Sequence, residues 1–149
     1  TLAIRHVSGH RLIALVEIVS AANKDRAEHV REFVAKAVAA VEHGVHVLLV
    51  DLFPPGRHDP TGMHAAIWEH FDDERYVPPA DEPFTLASYA AGPVPEAYVE
   101  HVTLGGDLPE MPLLLNWERY VKVPLESTYQ SAYRGFPAFW RDVLEGRAV

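Results

Sequence analysis

Residues Leu12 to Phe53 constrain the fold more than any other stretch, because they read as strand, helix, strand: LIALVEIVS, DRAEHVREFVAKAVAAVEHG and VHVLLVDLF. Both outer runs are almost wholly apolar and rich in Val, Ile and Leu, the pattern of strands covered on both faces. A right-handed crossover between neighbouring strands makes them parallel, with both ends at the same edge of the sheet. Each run carries one acid near its end, Glu17 and Asp51. The topology therefore predicts two carboxylates brought together where open α/β sheets usually place their sites.

Glu17 shares its strand face with Ile13, Leu15 and Val19, so it sits among aliphatic neighbours. An ionised carboxylate there costs several kcal/mol, the effective burial penalty of an ion, unless it is paired, protonated or bound to a cation. A buried salt bridge to a lysine or arginine and a metal ligand are the two open readings. Asp51, followed by Phe53-Pro54-Pro55-Gly56, is expected to be the more exposed of the two acids.

Between them, Asp25 is an N-cap candidate with Glu28 three residues on, a capping-box spacing. Val30, Phe33, Val34, Ala37, Val38 and Val41 form one stripe at helical spacing, and Gly44 stands where a left-handed residue ends a helix. Lys36 lies on the solvent flank of that stripe, so it reads either as a solvated charge or as a catalytic one. Ser20-Ala21-Ala22-Asn23-Lys24 forms a short loop beyond Glu17, from which Lys24 can reach back over the strand end. His46, alone in an apolar strand, reads as a hydrogen-bonded core residue.

Around this unit, Leu2–Val7 and Leu12–Val19 read as an antiparallel hairpin turned at Ser8-Gly9-His10. Asp59-Pro60 predicts an N-cap and first turn for a short helix over Thr61–His70, and Asp72–Pro83 a surface loop. Phe84–Ala90 and Tyr98–Leu104 suggest a second hairpin, then come short strands at Leu113–Leu115 and Tyr120–Val123. Helices follow from Pro124 to Arg134 and from Pro137 to Glu145. Tyr129, Tyr133, Phe136, Phe139 and Trp140 are expected to pack into the core, as large aromatics mostly do. The fold class is thus α/β (α+β), a mixed central sheet in a single domain over residues 1–149.

Composition narrows the partners. With 149 residues and 48% hydrophobic content the chain can bury one core of ordinary size. A formal charge of −8 argues against broad attraction to nucleic acid or anionic membrane, though a small basic groove is compatible with it. No run is long enough to cross a bilayer, and the absence of cysteine fits a cytoplasmic protein. Phosphate-loop and Gly-x-Ser-x-Gly patterns are missing. His43, His46, His58 and His64 span a helix end, a strand and a loop, a poor basis for zinc.

What remains is the acid pair with lysines nearby. The stretches VEIVSAANK and LLVDLFPPG, and the spacing from Lys36 to Gly44-Val45, resemble a bacterial domain-of-unknown-function family, number 4058. The likeness extends through TLASYAAGP, PEAYVEHVTL, LPEMPLLL and RYVKVPLESTYQ. Where that family commonly has Ser-Pro-Ala-Asn-Lys, this chain has Ser20-Ala21-Ala22-Asn23-Lys24. The family is in turn similar, more weakly, to the Uma-type endonuclease-like proteins with a PD-(D/E)XK core. That resemblance implies a restriction-endonuclease-like sheet in which Glu17 and Asp51 serve one or two Mg²⁺ ions, with Mn²⁺ as substitute. It also implies that Lys36 or Lys24 does the work of the E-x-K lysine, whose place is taken here by Val19. The Pro-Asp of the signature lies upstream of Thr1 in the family, so the chain reads as the C-terminal piece of a longer protein.

The activity implied is Mg²⁺-dependent phosphodiester hydrolysis of nucleic acid, without a membrane partner. The alternative is an inactive binding or structural module on the same scaffold, with Glu17 and Lys24 as an internal ion pair. A sheet edge left open upstream would drive self-association.

Overall fold

The computed structural model describes residues 1–147. Five strands form one mixed sheet in chain order: β1 (Leu2–Arg5), β2 (Leu12–Ile18), β3 (His46–Asp51), β4 (Phe84–Ala90) and β5 (Glu96–Val102). β2 and β3 run parallel and the other neighbours antiparallel. The crossover between β2 and β3 carries a single turn, α1 (Ala21–Lys24), and a long helix, α2 (Ala27–Glu42). A shorter helix, α3 (Gly62–Trp68), follows β3. A second, two-stranded sheet pairs β6 (Met111–Leu114) with β7 (Tyr120–Val123), and the chain continues into α4 (Leu125–Gly135) and α5 (Ala138–Leu144). The mixed sheet with one parallel pair, the crossover helix and the second hairpin agree with the fold class read from the residues.

The period-two alternation of the strands divides the core into two layers. Leu15, Val19, Val47, Leu49, Ala87 and Tyr89 face α2 and α3, and the six stripe residues of α2, Val30 through Val41, are the ones buried against them. Ala14, Val16, Leu48, Val50 and Leu86 face the other way, onto Met111 and Leu113 of the β6–β7 hairpin. β3 is covered on both sides, and all six of its residues are buried. At the end of α2, Gly44 adopts φ +76°, the left-handed conformation that lets the chain turn back into β3.

Two helix starts depart from expectation. α2 begins after Arg26, not Asp25, because the Asp25 carboxylate is engaged by the ring of His29 at 2.6 Å. The capping box lies one turn earlier, at Ser20 and Asn23 of α1. Asp59 does not cap α3, which starts after Thr61; its side chain turns inward instead. The terminal aromatics are a third correction. Tyr129, Phe136, Phe139 and Trp140 are all exposed, and no residue of α4 or α5 is fully buried. Their amphipathic spacing is real, but among the described residues no other element buries that face.

The helix-side layer also encloses His64, which shares a 2.7 Å hydrogen bond with the Tyr89 hydroxyl inside a cage of Trp68 and Tyr76. Burial, helped by the nearby His101, pulls its pKa from the usual 6.5 down to about 4. The folded state therefore keeps His64 neutral while the unfolded chain takes up a proton below pH 6.5, so stability falls as the solution is acidified. The loss grows from pH 6.5 and levels off below about 4, reaching on the order of 3 kcal/mol from this group. Denaturant unfolding of the protein and of His64→Gln at pH 7 and pH 4.5 checks this: the substitution should shrink the acid loss by more than half.

Candidate functional site

Glu17 and Asp51 occupy the same, helix-covered face of the sheet, as the alternation requires. In the parallel register Glu17 lies opposite Leu49, so Asp51 stands one pleat further along. That offset places their Cα atoms roughly 8 Å apart for ideal strand spacing. Each acid has been given its own lysine.

Asp51 is 2% exposed, against the expectation that it would be the more accessible acid, because the loop after β3 folds back over it. Lys24 reaches across from α1 and places its Nζ 2.8 Å from Asp51 Oδ2 and 2.9 Å from Asp59 Oδ2. The same ammonium donates to the carbonyls of Phe53 at 2.8 Å and Pro54 at 3.3 Å. The second oxygens are used as well: the backbone N–H of Phe53 donates to Asp51 Oδ1 and that of Gly56 to Asp59 Oδ1. Four acceptors thus surround a lysine head that is itself only 8% exposed. Burial raises the Asp51 carboxyl above its ordinary range, with Lys24 pulling the other way. The three charged side chains are buried, and their contacts hold the loop from Leu52 to Asp59 against the end of β3.

Glu17 is built differently. Lys36 extends from the flank of α2 over the ring of Phe33, 5.4 Å from its centroid, and places Nζ 2.9 Å from Glu17 Oε2. The Thr1 hydroxyl donates to the same oxygen at 2.7 Å and accepts from Lys36 at 3.0 Å. The other oxygen, Oε1, is buried and has no hydrogen-bond partner. The Lys36 side chain remains 48% exposed, so one side of this pair meets solvent. A shallow cavity of about 390 Å³, lined by Asn23, His29, Glu32, Phe33 and Lys36, opens beside it.

The expected Glu17–Lys24 pair is therefore replaced by Glu17–Lys36 and Lys24–Asp51–Asp59. The turn that carries Lys24 aims it at the end of β3 rather than at β2. Asp51 does not fit a metal ion, because Lys24 and the Phe53 N–H already occupy its two oxygens. Glu17 Oε1, which has no hydrogen-bond partner, is the atom of the acid pair that could take one. Among the described residues, no group of three or more His, Cys, Asp or Glu side chains converges as a ready-made metal cage. Asp59, which the sequence presents only as a helix cap, is the functional neighbour that spacing does not reveal; two prolines and a glycine before it were the signal that the loop doubles back.

Removing one partner from a buried ion pair leaves an uncompensated charge and costs about 3–5 kcal/mol. Lys24→Met should therefore lower the unfolding free energy by that order at pH 7. The deficit should shrink toward pH 4, because the Asp51 carboxyl, which burial raises above its ordinary range, takes up a proton and no longer needs a cation. Lys122→Met, which breaks an exposed pair with Glu110, should change little. Urea titrations at the two pH values measure both. Compared with family models, curated proteins and solved structures, the chain finds no match.

Proposed function

We propose that this chain carries a metal-assisted phosphodiester-hydrolysing centre built on Glu17 and Lys36, on an endonuclease-like scaffold. The observation that carries the reading is the asymmetry of the Glu17 carboxylate. One oxygen takes two hydrogen bonds, while the other is buried without any. Buried polar atoms are nearly always satisfied, so an orphaned carboxylate oxygen points to a ligand that is supplied from outside. Mg²⁺ is commonly held by one or two carboxylates together with the phosphates of its substrate, which suits a site offering a single protein oxygen.

Bound there, the cation supplies charge neutralisation at the phosphate and a bound water of lowered pKa. The remaining work falls to the protein's own groups. Lys36 has three N–H donors, of which Glu17 and Thr1 take two, leaving the third for a phosphate oxygen at the exposed side of the pair. Its stem lies along Phe33, which fixes the approach of the ammonium. The Thr1 hydroxyl orients the carboxylate so that Oε1 stays free. Lys24, Asp51 and Asp59 shape the end of β3 and do not touch this oxygen.

A second reading keeps the scaffold and drops the catalysis, making the chain a binding or structural module. The full occupation of Asp51 by Lys24 favours it, since only one acid is then available.

Cleavage of plasmid DNA, single-stranded DNA and RNA in Mg²⁺ or Mn²⁺, paired with calorimetric titration of both ions, separates the two. The hydrolytic reading expects EDTA-sensitive cleavage that drops on the order of 100-fold or more in Glu17→Gln, a typical loss for a principal catalytic group. The midpoint of thermal unfolding should barely move. Undiminished cleavage in Glu17→Gln would remove the enzyme reading, and neither cleavage nor heat in the unmutated protein would leave the scaffold.

A further inference from the structure

The hairpin-covered side of the sheet holds a feature the proposed chemistry does not use. Where the β6–β7 hairpin leaves the start of β5 uncovered, a groove of about 400 Å³ opens, within the size range of small-molecule sites. Three large aromatics stand in it, and each is about half exposed: Tyr98 at 49%, Trp117 at 58% and Tyr120 at 57%. Single exposed aromatics are ordinary, but three gathered on strands and a tight turn form a preformed apolar surface.

Trp117 is held in place. Its turn is closed by backbone hydrogen bonds from Leu115 and Asn116 to the Arg119 carbonyl, at 2.9 and 3.3 Å, and by Glu118 N–H to Asn116 Oδ1 at 2.9 Å. Its six-membered ring lies on the backbone of Gly92, in the turn after β4, where a Cβ would come within 1.3 Å of the indole. Only glycine leaves room for that seat. The ring is therefore anchored on one side and open on the other.

Charge decides what the open side suits. Glu110 and Lys122 pair at 3.4 Å, and Glu118 and Arg119 add one charge of each sign, so the groove is balanced. With a formal charge of −8 on the chain, a balanced groove gives a polyanion little attraction. A neutral ligand with flat apolar ring faces and hydroxyl groups around its edge matches both parts of the lining. The ring faces stack on the aromatics, and the hydroxyls pair with the forks of Arg119 and Glu118, which donate and accept in fixed planes.

We infer that the groove between Tyr98, Trp117 and Tyr120 binds a neutral oligosaccharide, independently of the Glu17 centre on the opposite face. The test is NMR titration of the folded protein with cellohexaose, chitohexaose and maltohexaose, with polyproline decapeptide and oligothymidine as competing classes. At least one sugar should bind at millimolar or lower concentration, shifting the Trp117 indole N–H. Trp117→Ala should weaken it about tenfold, the loss of one stacked aromatic, while Trp117→Phe retains most of the affinity. Glu17→Gln should bind as the unmutated protein does. Because the Trp117 ring also seats on Gly92, the Phe variant, which keeps an aromatic there, and the retained amide spectrum of the Ala variant separate lost stacking from a disturbed turn. Failure of all three sugars, binding that survives Trp117→Ala, or preference for polyproline or oligothymidine would each overturn the assignment.

Discussion

A carboxylate on an apolar sheet face has to be given a cation, and this protein meets that requirement twice within one crossover. Glu17 and Asp51 lie on the face that α2 covers, and both of their lysines come from the segment that links β2 to β3. Lys24 leaves α1 to close the end of β3, and Lys36 leaves the flank of α2 to meet β2. The hydrophobic stripe of α2 supplies the attraction between helix and sheet, while the two lysines fix where along the strands the helix can sit. With them in place, the position of α2 is tied to two charged points.

The two pairs differ in a way that separates support from chemistry. Lys24 is buried and surrounded by four oxygen acceptors, so it has nothing left to offer a ligand. Lys36 is half exposed and leaves one donor open, and its partner leaves one oxygen bare. In the first cluster Asp59 Oδ2 also lacks a hydrogen bond but lies 2.9 Å from the Lys24 ammonium; in the second the Lys36 ammonium sits on Glu17 Oε2 and leaves Oε1 without one, beside a half-exposed lysine that could receive a substrate. This contrast, rather than the number of acids, is the ground for placing the proposed chemistry at Glu17.

Much of the fold was legible because it depends on local periodicity. The α2 stripe, the Gly44 turn, the β4–β5 hairpin and the buried, hydrogen-bonded His46 all follow from spacing within a few residues. The two acids were legible for the same reason, as single charges in aliphatic runs. The partner of each lysine was not, since it turns on a two-residue register offset and on the direction in which α1 points. The missed caps share that cause: Asp25 and Asp59 have good N-cap chemistry, but His29 and Lys24 compete for their oxygens. The exposed aromatics of α4 and α5 show the limit of amphipathic patterns. Such a pattern says that a face is apolar, not that this chain supplies the cover.

The strand alternation that sorts the core also sorts the candidate sites. On β4 and β5, Tyr89 and His101 face the helices, whereas Ser88 and Tyr98 face the hairpin. The ion pairs therefore sit on one side of the sheet and the aromatic groove on the other. A one-residue slip of β3 against β2 would turn Asp51 toward the hairpin and away from Lys24. It would also put His46 among the aliphatics under α2 and strip it of the hydrogen bond from Ala91 N–H. Hydrophobicity opposes this slip only weakly, because β3 is apolar on both faces. The buried charges oppose it strongly, since each displaced ion would be left without a partner. Asp51 on β3 thus specifies the register of the parallel pair, and this role stands whether or not Glu17 also serves a metal.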